Sequence, residues 1–402
     1  MALALALANQ PHESPNLPIR VGFVVHVMQV AGAEVLVAET IRRLKGSVEA
    51  TVFCLDAIGT LGEQLRSEGV EVVTLGRRPG RDWRVGWRLA REARARKIDV
   101  FHAHQYTPFF YAAVARVLSF GGPRLILTEH GRHYPDLVRP LRRAINRLVL
   151  DHLADAVNAC CGFSAEGLAI VDGFAGRRIE VIENGIDLER YSRPTDRSAL
   201  RKELGLDPSR RYVVTIARFH PVKDHAMLLR AFARVAATRP DTDLLLAGDG
   251  PLRGELERQA ADAGIAGRVR FLGIRSDVPA LLQASDIFAL TSVSEAASLT
   301  LLEAMASGLA VVVTNVGGNP EIVRDGVEGL LVPRGDSEAA ATALLRLLND
   351  PVRADAMGTA GRARVESRYQ LQRTIDSYLA LYRRVTSRHP QARSLKPLSA
   401  SV

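Results

Sequence analysis

Short apolar runs alternate with helical stretches along nearly the whole chain, and this alternation limits what the chain can fold into. The first half predicts strands at Ile19–Val27, Val48–Leu55, Val70–Leu75, Val100–His104, Arg124–Thr128, Ala156–Cys160 and Ile179–Ile182. The second half predicts them at Tyr212–Ala217, Leu244–Ala247, Val269–Ile274, Asp286–Thr291, Ala310–Thr314 and Gly329–Val332. Helical spacing fills the intervals, for example Trp83–Lys97, Pro108–Ser119 and Arg139–Ala154. Apolar strands that each lead into a helix build parallel sheets covered on both faces. Ligands of such sheets bind at the carboxyl ends of the strands. The fold class is therefore α/β. A chain of 402 residues holds two or three domains, and Arg193–Ser198 reads as the linker.

Composition excludes several classes. No apolar run approaches the ~18–20 residues of a membrane span. Met1–Ala8 is apolar but short and lacks a basic flank, so it reads as a tail and not a signal peptide. Three cysteines give neither a disulfide framework nor a metal spacing, which fits a reducing cytoplasm. The net charge of +9 is unevenly spread: residues 77–147 hold 16 arginines and lysines against 5 acids. Trp83 and Trp87 stand among the arginines. That stretch is either a solvated face or a peripheral contact with anionic lipid. No nucleic-acid motif accompanies it.

The most informative segment is Ser294–Gly308. A strand end leads into a loop of small residues and then a helix from about Ser298 to Gly308. The helix tip at Ser298-Leu299-Thr300 offers unpaired N–H groups and a positive dipole end, which suit a phosphate. Glu295 before the helix and Glu303 within it are acceptors for sugar and ribose hydroxyls. Arg218 and Lys223 bracket another strand-end loop, and two fixed cations suit a diphosphate. Gly248 and Gly250 follow a third strand and permit close backbone approach. The strand ending at Ile274 is expected to face a nucleobase. Gly32, after the first strand, marks either a phosphate-approach loop or a plain turn. His102 and His104 close a strand without a third ligand, so strand-end packing or acceptor contact is expected rather than metal. Asp241-Thr242-Asp243 sits at a strand start, the wrong edge for a metal site.

Ser294–Val323 resembles the donor-site signature of glycosyltransferase family 4, group 1 retaining enzymes of the GT-B fold. That signature has two glutamates with seven residues between, then a Glu-Ala-Met-Ala segment, then Gly-Gly-x-x-Glu-Ile-Val. Here these are Glu295, Glu303-Ala304-Met305-Ala306 and Gly317–Val323. Ala296-Ala297-Ser298 replaces the frequent Gly-Phe-Gly, and Ala310 replaces the usual proline. The resemblance implies two Rossmann-like parallel-sheet domains facing a central cleft. It divides the chain into a disordered tail at 1–17, an acceptor-side domain at 18–190 and a donor-binding domain at 191–370. A helix at 371–386 crosses back onto the first domain, and 387–402 is a second disordered tail.

The resemblance also implies roles. Arg218 and Lys223 clamp the diphosphate, Gly32 lets its loop approach it, and His130 meets the donor sugar or the acceptor path. Glu183–Asp187 marks the crossing between domains. The expected activity is retaining transfer of a sugar from a nucleotide-diphosphate donor, UDP first and GDP second. The expected acceptor is a glycan or lipid-linked molecule of the cell envelope or an exopolysaccharide. Neither metal nor cofactor is expected. The expected location is the cytoplasm, with peripheral contact at the inner face of the cell membrane. Another GT-B enzyme, such as a sugar-phosphate synthase, phosphorylase or epimerase, or a non-catalytic nucleotide-sugar binder, are the alternatives.

Overall fold

The structure, a computed structural model, describes residues 17–80, 82–131, 137–191 and 196–387. The expected tails apart from Leu17 and Ser387, half of the linker, Arg81 and Arg132 fall outside these residues. Seven parallel strands form the first sheet: β1 Ile19–Val27, β2 Val48–Ala57, β3 Glu71–Thr74, β4 Val100–His104, β5 Arg124–Glu129, β6 Ala156–Ala159 and β7 Ile179–Val181. Six form the second: β8 Arg211–Ile216, β9 Thr242–Ala247, β10 Val269–Gly273, β11 Ile287–Leu290, β12 Ala310–Thr314 and β13 Gly329–Val332. The spatial orders are β3-β2-β1-β4-β5-β6-β7 and β10-β9-β8-β11-β12-β13. Helices on both faces bury the strands, so β4, β11 and β12 have no exposed residue.

In each sheet the order reverses between two central strands, β1 and β4 in the first, β8 and β11 in the second. A crevice opens at such a switch point, outside the carboxyl ends. Gly32 follows β1, His104 ends β4, Arg218 and Lys223 follow β8, and Glu295 and Ser298 follow β11. The fold thus carries the candidate residues to the two places where parallel sheets bind ligands.

The last helix, Leu371–Ser387, belongs to the core of the first sheet. Leu371, Ile375, Tyr378, Leu381, Tyr382 and Val385 pack with Val21, Phe23 and Val25. Its entry is fixed where Ile186 accepts from Leu371 N–H and donates to the Tyr369 carbonyl, both at 2.9 Å.

One expected element is broken. The helix read as continuous over Arg139–Ala154 is helical at Pro140–Ile145, widens to a π turn at Asn146–Leu150 and resumes at Asp151–Leu153. Asn146 is the cause: its buried amide accepts from the Tyr106 hydroxyl at 2.6 Å and donates to the Asp172 carbonyl at 2.8 Å. A π turn absorbs the extra residue that this anchoring requires. Among the described residues no helix is long and apolar enough to cross a membrane.

Candidate active site

Two loops of the second domain are tied together first by backbone. Val293 N–H donates to the Val222 carbonyl at 2.8 Å, and the Thr291 hydroxyl donates to the Asp224 carbonyl at 2.9 Å. This registration brings Lys223 Nζ to 2.5 Å from Glu295 Oε2. Ser292 Oγ donates to the same oxygen at 2.8 Å. Glu295 Oε1 has no partner among the described residues, so one oxygen remains to accept from a hydroxyl. The Glu295 loop is seated by Gly317 and Gly318. A Cβ on Gly317 would lie 1.8 Å from the Glu295 carbonyl oxygen, and one on Gly318 would lie 2.2 Å from that of Ala296. The glycine pair therefore positions Glu295.

The helix spans Leu299–Ala306 and is capped by Ser298, whose Oγ accepts from Leu301 N–H at 3.3 Å. Ser298 thus caps its own helix, while the Leu299 and Thr300 amides remain for an anion. Opposite lies the first domain: a Cβ built on Gly32 would be 3.6 Å from Leu299 Cδ1. Two residues on, Glu34 is pushed up by burial and pulled back by the nearby Arg218 guanidinium. Arg218 is exposed and close enough to act on Glu34 through its charge, whereas Lys223 is held by Glu295. The two cations share no protein partner among the described residues.

Other expected residues fall into place with different reasons. Gly248, at φ +138°, would bring a Cβ to 2.1 Å from the Ala217 carbonyl oxygen, and Gly250 to 2.4 Å from that of Phe219. Their close approach is to the backbone around Arg218, and they set that loop. Ile274 is 80% exposed just beyond β10, leaving its side chain free for a flat ligand face. Gly32 needs neither a left-handed backbone nor a close neighbour. Asp243 is paired with Arg210 and Arg268, and Asp241 with Arg239. Both aspartates are thus held in ion pairs at the far edge of the sheet.

Glu303 is hydrogen-bonded to Tyr191, which packs in the core of the second sheet, and burial pushes its carboxyl up to about 7. Nothing in the spacing of residues pointed to that tyrosine. His130 Nε2 lies 2.7 Å from His104 Nδ1, and its Nδ1 is buried without a partner. Burial holds its pKa near 4, so it is neutral at pH 7. As folded, Nε2 of His130 is taken by His104 and Nδ1 is buried. His102 is structural: its nitrogens meet Tyr382 Oη at 2.7 Å and Thr128 Oγ1 at 2.6 Å.

Sequence reasoning also missed the tie between domains. Glu321 accepts from the Gly162 and Phe163 N–H groups at 2.8 and 2.7 Å. Asn184 Nδ2 donates to the Ala297 carbonyl at 3.3 Å. Both contacts border the loop that carries Glu295. A glutamate four residues after a glycine pair is the only local signal, and it does not reveal a partner some 159 positions away.

Two switch-point crevices face each other, with cations, a helix tip and a carboxylate between them. This is the architecture of a GT-B glycosyltransferase. Residues 30–190 match the model of Glycosyltransferase Family 4, and 196–364 that of Glycosyl transferases group 1. The N-acetyl-alpha-D-glucosaminyl L-malate synthase of Bacillus anthracis is 30% identical over 312 residues, 76% of this chain and 79% of that protein. The chain belongs to glycosyltransferase family 4, and it is a glycosyltransferase. A GDP-mannose-dependent alpha-(1-6)-phosphatidylinositol monomannoside mannosyltransferase of Mycolicibacterium smegmatis is 35% identical over 253 residues, 60% of this chain and 65% of that one. The chain spans about half (48%) of the D-inositol 3-phosphate glycosyltransferase of Rhodococcus jostii that it matches at 38% identity, over 52% of its own length. Among solved structures, Anabaena HepE in complex with UDP-glucose superposes with a TM-score of 0.76 at 25% identity, covering 90% of this chain and 98% of that one.

Proposed function

We propose that this glycosyltransferase is a retaining enzyme that moves a hexose from a nucleotide-diphosphate donor, UDP-linked in first place and GDP-linked in second. The acceptor is a glycan or lipid-linked molecule of cell-envelope or exopolysaccharide type. The enzyme works from the cytoplasm, in peripheral contact with the inner face of the membrane. The observation that carries the reading is the meeting of Lys223 and Glu295 beside the free helix tip at Leu299 and Thr300.

The chemistry follows from charge. As the sugar–phosphate bond breaks, negative charge grows on the leaving diphosphate. Lys223, Arg218 and the helix amides stabilise that charge, and being fixed beforehand they need little reorganisation. With these cations in place no divalent metal is required. Glu295 holds the hydroxyls of the transferred sugar through its free oxygen, and Glu303 holds the ribose. His130, neutral at pH 7, contacts sugar or acceptor after a small rotation away from His104. UDP is supported by HepE, whose complex holds UDP-glucose. GDP is supported by the mannosyltransferase named for GDP-mannose, whose named acceptor, a phosphatidylinositol monomannoside, is a lipid.

The test is turnover with UDP- and GDP-sugars and a lipid-linked acceptor, with and without EDTA, and with the product anomer read by NMR. The expected result is retained configuration and full activity in EDTA. Inversion, or loss of activity in EDTA, sinks the corresponding part. Tight donor binding with no transfer and no slow donor hydrolysis identifies a binder instead.

A further inference from the structure

The segment Leu137–Val149, which leads into the buried Leu150, is inside out. Leu137, Val138, Leu141, Ile145, Leu148 and Val149 are exposed, Leu141 at 74% and Leu148 at 72%, while Asn146 is fully buried. The segment is held to the fold by polar groups: Asn146 to Tyr106 and Asp172, and Arg142 paired with Asp172 and lying over the Tyr106 ring. An apolar stripe turned outward in this way has no role in the fold's own core. The same segment carries four arginines and no acid. Arg139, Arg143 and Arg147 have no ion pair among the described residues.

The stripe has a neighbour on the same rim. Trp83 and Trp87 are 60% and 57% exposed. Trp83 packs on Phe110 at 5.7 Å, one helical turn from Tyr106, which lies under Arg142. Both elements start at the carboxyl side of the first sheet, the side of the cleft. By contrast, Arg77, Arg88, Arg91 and Arg96 within the same basic stretch are paired with Asp56, Asp82, Glu92 and Glu71. Four of the nine cations at 77–97 are thus paired at home, whereas in the apolar stripe Arg142 alone of four arginines is paired among the described residues.

We infer that Leu137–Val149, flanked by Trp83 and Trp87, is the membrane-docking blade of this enzyme, inserting its apolar side chains into an anionic lipid surface. This deepens the peripheral-membrane part of the proposed function and rests on it. Apolar groups enter the acyl boundary, arginine stems reach back to headgroup phosphates, and tryptophan sits at the interface. A second copy of the chain is a poorer occupant. A twofold contact would set four arginines against four.

The chain has two tryptophans in all, both on this face, so its fluorescence reports docking directly. The full-length protein is mixed with vesicles of phosphatidylcholine alone or with phosphatidylglycerol. Expected are co-sedimentation and a blue shift with the anionic vesicles, at least about tenfold weaker with neutral ones. The variant Leu141→Ser/Leu148→Ser, altered only at exposed positions, is expected to lose about tenfold in vesicle affinity. Its vesicle-free donor hydrolysis is expected to stay unchanged. Equal binding by variant and parent, or no blue shift, overturns the inference. So does a vesicle-free dimer that the variant abolishes, which makes the face a self-contact, or capture by an acidic protein with no lipid binding. Absence of donor hydrolysis in the parent counts against the transferase reading alone and leaves the docking result standing.

Discussion

Lys223 Nζ and Glu295 Oε2 lie 2.5 Å apart, joining the loop after β8 to the loop after β11 across 72 positions of sequence. In the empty enzyme the cation and the carboxylate neutralise each other. In the proposed reading a diphosphate entering beside them gives the lysine a second anion, while Glu295 keeps an oxygen for the sugar.

Lys223→Ala removes one donor aimed at the leaving group. The expected loss is about 10²–10³ in kcat, with a nearly unchanged melting temperature because Ser292 still holds Glu295. Steady-state kinetics beside a thermal melt decides it, and full activity in the variant rules out the phosphate role.

Gly32 and Gly248 separate function from fold. Gly32 has ordinary torsions and 3.6 Å of clearance to Leu299, so Gly32→Ala is expected to fold normally yet weaken donor binding by filling the space at the helix tip. Gly248→Ala meets a carbonyl oxygen at 2.1 Å in a left-handed conformation and is expected to cost about 3 kcal/mol or more. Isothermal titration of the donor and urea unfolding distinguish the two. A Gly32→Ala enzyme with parental affinity removes that loop from the donor site.

Tyr382→Phe deletes the 2.7 Å bond to His102 Nδ1 at full burial. Leaving that ring nitrogen unpaired is expected to cost ~1–3 kcal/mol, seen as a lower urea midpoint. No change in midpoint would mean that the last helix is held by its apolar face alone.

Acid is expected to destabilise the protein well above the carboxylate range. Burial lowers His102 to about 3 and His130 and His225 to about 4. In the unfolded chain each takes up its proton near 6.5. Between pH 6.5 and 4 the unfolded state therefore binds more protons, and stability falls as the pH falls. Glu303, raised to about 7, acts in the opposite sense, since its folded form keeps a proton that the unfolded form releases above 4.5. Burial lowers His104 in the same sense, and four histidines outweigh one glutamate, for a net loss of up to ~4 kcal/mol per pH unit at most. His225 has no partner on either nitrogen. His225→Leu breaks no bond, so a shallower dependence of melting temperature on pH from 6 to 4.5 is expected. An unchanged slope shows that His225 takes up no proton on unfolding.

Thirteen strands were legible from apolar runs because a strand covered on both faces must be apolar throughout. Their ends moved by a residue or two, as with β11, expected over Asp286–Thr291 and found at Ile287–Leu290. Asp286 left the strand to take Arg201 and the Tyr212 N–H. The π turn at Asn146 was not legible, because an asparagine at a helical position gives no sign of the tyrosine and carbonyl that bury it.

By itself the sequence determined the parallel α/β class, the loop–helix at Ser298 and the glycines where backbones meet. These depend on residues near in sequence, whose torsions, periodicity and burial needs are local properties. Only the tertiary structure decided which groups face each other: Lys223 with Glu295, Arg218 with Glu34, Tyr382 with His102, Glu321 with the Gly162 amide. Such pairs form because strand order carries distant loops to one edge of a sheet. Linear spacing holds no record of that order.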